Sequence, residues 1–173
     1  MIKLLFFIVL ISFFSCNNDS NKIKKDPSQY KEPLVRVNKF LVKKDVDLIN
    51  AYLERRNWKM DTTSTGLYYL IYQNGTGRKA EKGKIATIKY KINLLDGTLC
   101  YSSDSTGAKS FMISQGNVET GLEEGILMMN EGSKARFIMP PYMAHGLVGD
   151  DDKIPPRSII IYHVELIKIS DKQ

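Results

Sequence analysis

The chain has 173 residues, 43% of them hydrophobic and 25% charged, a composition that excludes a wholly disordered protein and leaves room for one domain plus a tail. The net charge of +6 comes from scattered lysines and arginines, a few of them between Lys22 and Lys25 and at Lys43-Lys44. They are not interleaved with aromatics, so they describe a soluble basic surface with mild attraction to anionic membranes, and no nucleic-acid partner.

Residues 1–15 read as a signal peptide. Lys3 supplies the positive start, and Leu4 to Phe14 is apolar except for Ser12. That run is too short for an ordinary membrane-spanning helix. Ser15, a small residue, then directly precedes Cys16, which resembles a bacterial lipoprotein signal with Phe13 where leucine is usual. Cys16 is therefore the expected lipidation site, and the mature protein an extracytoplasmic, membrane-anchored lipoprotein. The alternative is a plain secretory signal in which Cys16 is incidental. With Cys16 lipidated, Cys100 has no partner for a disulfide.

Residues 16–43 read as a polar tether, most clearly from Asn17 to Pro33, where no apolar period exists. Residues 44–61 hold an N-terminal helix, Asp45 to Lys59. Asp45 is its expected N-cap, and Val46, Ile49, Tyr52, Leu53 and Arg56 follow at helical spacing. The helix is expected to pack on the main domain, which spans 66–170. There, Leu67–Tyr72, Lys84–Leu94, Thr98–Tyr101, Phe111–Ile113, Lys134–Met139 and Ser158–Ser170 have strand character. Asp96-Gly97 signals a type I′ hairpin. Glu123–Met129 is a short helix with acidic residues at its start. The sum is an α+β domain, an antiparallel sheet of five to six strands wrapped around one short helix.

The motifs run in a telling order. They are Gly75-Thr76-Gly77, a strand with Tyr90, the Asp96-Gly97 hairpin, Ser102-Ser103, Gly121-Leu122-Glu123-Glu124-Gly125, and Ile154-Pro155-Pro156. This pattern resembles the FKBP-type peptidyl-prolyl cis-trans isomerases from about Gly66 to Ile169. The resemblance implies an FKBP-like fold and a proline-binding pocket walled by Tyr90, Phe111, Val118, Ile154 and Tyr162. Leu122 would be its floor and His145 its rim, and the Glu119 N–H would meet a substrate carbonyl. The expected partners are proline-containing segments of exported proteins. Such chemistry needs no cofactor and no metal. Oligomeric state stays open.

The chain departs from the family where Phe-Asp is usual in the returning strand; here Cys100-Tyr101 stands, which puts Tyr101 at the site without the polarising aspartate. Leu122 replaces a common tryptophan, and His145 replaces a tyrosine that usually hydrogen-bonds ligand. Gly149-Asp150-Asp151-Asp152-Lys153 lacks the alternate spacing of a calcium loop and reads as a solvated loop overhanging the pocket. Two functions fit: an isomerase assisting folding of envelope proteins, or a catalytically weak binding module on the same fold. A general holdase is a third reading. The lipobox and the Met143-Ala144-x-Gly146-x-x-Gly149-Asp150 loop resemble the gliding-motility-associated isomerase lipoproteins in particular.

Overall fold

The computed structural model of the protein describes residues 28–172. The expectations for the leader and for Cys16 lie outside that range. The chain divides into two compact units at Arg36/Val37. Of the first, the described part is the opening of helix α1, which runs Ser28–Arg56. The remainder of α1 and the whole sheet belong to the second.

Helix α1 begins well before the expected residue 44, inside the segment read as a tether. Lys31 to Phe40 are exposed, the apolar Leu34, Val35, Val37 and Phe40 included, so burial does not mark this stretch. Helix-forming Lys, Glu, Arg and Leu sustain it instead. Asp45 is not a cap but a buried residue in mid-helix, held by two hydrogen bonds from Arg157 Nη2 at 2.9 and 3.1 Å. The helix ends in a Schellman arrangement: Trp58 N–H donates to Leu53 O and Asn57 N–H to Glu54 O, with Asn57 at φ 52°.

Among the described residues seven strands follow, all antiparallel: β1 Asp61–Thr62, β2 Tyr68–Gln73, β3 Ile85–Leu94, β4 Leu99–Ser102, β5 Lys109–Met112, β6 Lys134–Met139 and β7 Ile160–Ser170. The sheet order is β1-β2-β6-β7-β3-β4, with β5 also pairing β3. Strand β3 thus serves two edge partners in succession, β5 along Ile85–Ile88 and β4 along Lys91–Asn93. The expected strands are present. β1 and a single helical turn, α2 Ser103–Thr106, were not foreseen. The hairpin before β4 differs too. Gly97 N–H bonds to Leu94 O, and Leu94 N–H to Thr98 O. Only Gly97, at φ 96°, has a positive φ in this turn. That is a three-residue loop closed by a bulge, and it replaces the type I′ turn.

Period-two alternation sends the two faces of the sheet into different cores. On β6 and β7, Ala135, Phe137, Met139, Ile160, Tyr162 and Val164 face the main core, together with Leu122 and Ile126 of helix α3, Thr120–Leu127. Their neighbours Ile138, Ile159 and Ile161 face Ile49 and Tyr52 of α1 in a second core. Trp58 closes that side, edge-on to Tyr52 at 5.6 Å and under the Arg136 guanidinium at 3.6 Å. Helix α3 comes close to β6 because position 125 is glycine: a Cβ there would sit 2.5 Å from the Phe137 ring.

Candidate functional site

One row of side chains across three strands forms the base of a cavity. The register pairs Ile92 of β3 with Tyr101 of β4 on one side and with Tyr162 of β7 on the other. All three line a cavity of about 230 Å³, joined by Tyr90, Lys109, Glu119, His145 and Asp150. The alternation of β3 carries one face from buried Ala86 and Ile88 into Tyr90 and Ile92 at the cavity. The Tyr90 and Tyr162 rings lie 6.1 Å apart, tilted at 39°. A second cavity of about 320 Å³ adjoins the first, lined by Gly116, Asn117, Val118 and Ala144 and sharing Lys109, Glu119 and His145.

Glu119 stands between them. It occupies the N-cap position of α3 but makes no side-chain cap. Its carboxylate instead accepts from the Tyr162 hydroxyl at 2.9 Å and from His145 Nε2 at 3.0 Å, both on Oε1. The Glu119 side chain is 9% exposed, and Oε2 is buried without a partner among the described residues. Burial, reinforced by the Glu119 charge, raises the Tyr162 hydroxyl well above its ordinary range, so it remains a donor. No protein acceptor among the described residues takes the Glu119 backbone N–H.

The far rim is built by Asp150. Its Oδ1 accepts from the Asp152 and Ile154 N–H groups at 3.0 and 2.7 Å, and its Oδ2 from the Tyr101 hydroxyl at 2.5 Å. Burial pushes its pKa up, but those hydrogen bonds outweigh burial and bring it down to about 2. Conversely, the hydrogen bond to Asp150, followed by burial and Asp152, holds the Tyr101 hydroxyl far above its usual range. The loop read as merely solvated is therefore pinned to the sheet, and a carboxylate sits beside Tyr101 after all. It comes from residue 150, not from the returning strand.

Of the residues expected at the site, Tyr90, Tyr101, Glu119, His145 and Tyr162 meet in the first cavity, and Val118 lies in the second. Phe111, Leu122 and Ile154 do not line either; they are buried in the main core behind them. Phe111 pairs with Ala86 deep in the sheet, whereas Lys109, two residues earlier on the same face, reaches both cavities. Lys109 and Ile92 were missed, and Asp150 was expected only in a loop overhanging the pocket, not in its lining. A strand partner opposite Ile88 could have flagged Lys109, and the Asp-x-Asp sequence, which favours an Asx turn, could have flagged Asp150.

A family model described as FKBP-type peptidyl-prolyl cis-trans isomerase matches residues 76–167, more than half of the chain. The "Probable FKBP-type peptidyl-prolyl cis-trans isomerase FkpA" of Neisseria meningitidis serogroup B is 38% identical over 109 residues, 62% of this chain and 39% of that protein. The chain therefore spans well under half the length of that relative. "FK506-binding protein 2" of Yarrowia lipolytica is 33% identical over 114 residues, 65% of this chain and 79% of that protein. Among solved structures, FkpA from Escherichia coli superposes with a TM-score of 0.63 at 26% identity, covering 99% of this chain and 83% of that one. AtFKBP13 does so with 0.62 at 29% identity, covering 64% and 98%.

Proposed function

The chain belongs to the FKBP-type peptidyl-prolyl cis-trans isomerase family, and from that premise we propose that it catalyses rotation about X–Pro bonds in exported envelope proteins. The observation that carries this is the aromatic cavity between Tyr90 and Tyr162, with the free Glu119 N–H at its edge. Amide rotation faces a barrier of about 18–20 kcal/mol and calls for no nucleophile. The two rings exclude water that would stabilise the planar, polarised amide. The Glu119 N–H holds a substrate carbonyl while the bond twists. Val118 shapes the entrance. Phe111, Leu122 and Ile154 act from behind, by fixing the strand and helix that present the lining.

Lipid on Cys16 would tether the domain to a bacterial membrane, outside the cytoplasm. Cys16→Ala should then move the protein to the soluble fraction; retention in the membrane would refute the anchor. The resemblance to gliding-motility-associated lipoproteins extends the proposal to clients among surface adhesins and motor components.

A second reading, peptide binding without catalysis, is favoured by the polar lining: Lys109, Glu119, His145 and Asp150 all face the cavity. The deciding experiment is refolding of a proline-limited substrate by the protein, with and without a macrolide pocket ligand. Inhibitable acceleration establishes catalysis. No acceleration by a folded sample, with peptide affinity retained, establishes the binding module.

A further inference from the structure

The cavity has an acceptor too many. Glu119 satisfies Oε1 twice and Oε2 not at all, although its side chain is 9% exposed. A buried carboxylate oxygen without a donor is unfavourable in the empty site and strongly attractive to a ligand that brings one. The groups around it are no substitute. His145 and Tyr162 are spent on Oε1. Lys109 lines both cavities yet forms no ion pair within 4.0 Å among the described residues. Tyr101 donates to Asp150 and Asp152. Glu119 and Asp150 together outnumber Lys109 in the first cavity, whereas in the second Glu119 faces Lys109, so attraction there is local to the Glu119 carboxylate. Because Glu119 faces both chambers, a residue flanking a proline held in one lies within the reach of its carboxylate from the other.

We propose that the site selects proline segments bearing a lysine or arginine next to the proline, the cationic side chain occupying the chamber of Val118, Asn117 and Ala144 and donating to the Glu119 carboxylate, whose Oε2 turns out of its covered position to accept. The inference rests on the proline-binding function above and names its substrate class. Asp150 adds a longer-range attraction at the rim, held as a carboxylate by three donors. Lys109 opposes the selection and limits it.

The test uses two peptide series with the full protein: one varies the residue before the proline, the other the residue after it, through Lys, Arg, Leu and Glu. Binding and isomerisation are read in parallel. In at least one series Lys and Arg should exceed Leu by about ten- to a hundred-fold, with Glu weakest, and the gap should shrink with added salt. Glu119→Gln should collapse the gap, and Lys109→Ala should widen it. Equal handling of Lys and Leu in both series, or a gap untouched by Glu119→Gln in a folded variant, overturns the inference and leaves the isomerase reading intact. If nothing is accelerated, the isomerase reading falls, and the affinity series alone decides the selectivity in the same way. Should Glu119→Gln fold poorly, Lys109→Ala decides: a narrowed or unchanged gap refutes the proposal.

Discussion

Replacing Tyr162 by phenylalanine removes one hydroxyl and nothing else. Tyr162 is 1% exposed, and its hydroxyl is one of two donors to the Glu119 carboxylate, whose side chain is 9% exposed. Tyr162 is covered where it lines the first cavity, so water reaches the vacated position only through that cavity. The cost is therefore that of a hydrogen bond to a charged group, about 1.5–3 kcal/mol, with little added for a cavity the size of one oxygen. Melting should fall by about 2–4 °C per kcal/mol for a chain of this size. Urea unfolding followed by circular dichroism measures the change, and the slope should stay constant while the midpoint drops. Replacing the acceptor as well, with Glu119→Ile in the Tyr162→Phe background, should recover most of the loss, because no buried charge is left short of donors. A single-variant loss below about 0.5 kcal/mol would refute the argument. So would a double variant that merely sums the two single effects, since the two side chains would then not be coupled.

Two further outcomes follow from other parts of the sheet. Arg157→Met leaves the buried Asp45 carboxylate unpaired and should destabilise by about 3 kcal/mol, the low end for a broken buried pair because the Arg157 side chain is 30% exposed. Denaturant unfolding checks it, and Asp45→Asn in the same chain should restore part of the loss. His163 lies directly between Lys91 and Arg136 on the two neighbouring strands, and burial, followed by those two charges, depresses its pKa. The folded state then binds fewer protons than the unfolded state just below the ordinary histidine pKa of about 6.5. Stability should be fully present above that pH and fall as the pH drops toward the depressed value. His163→Gln should flatten this fall below about pH 6.5, as read by unfolding midpoints at descending pH.

Much of the fold was legible because the local code is strong. The alternation in Lys84–Leu94 and Lys134–Met139, the Gly-Leu-Glu-Glu-Gly turn and the order of motifs identify the sheet, the short helix and the family. The start of α1 was not legible. Leu34, Val37 and Phe40 follow at helical spacing, but they are exposed, and Pro33 with the polar residues before it reads as a break. The hairpin type was missed for a different reason. Asp-Gly suits two loop geometries, and strand register, not the dipeptide, chose the bulged one.

The candidate site divides along the same line. The sequence by itself singled out Tyr90, Tyr101, Glu119, His145 and Tyr162, since each sits at a motif position or replaces the residue expected there. Only the tertiary structure decided what they form. Phe111 and Lys109 share one strand face, and the pairing with β3 alone puts the phenylalanine in the core and the lysine at the cavity. Tyr101 gains its carboxylate from Asp150, and Tyr162 is tied to Glu119 across 43 residues of chain. Backbone preference and side-chain alternation are set by near neighbours and can be read in order along the chain. The lining of a cavity is set by contacts between distant segments, and these exist only once the sheet has chosen its register.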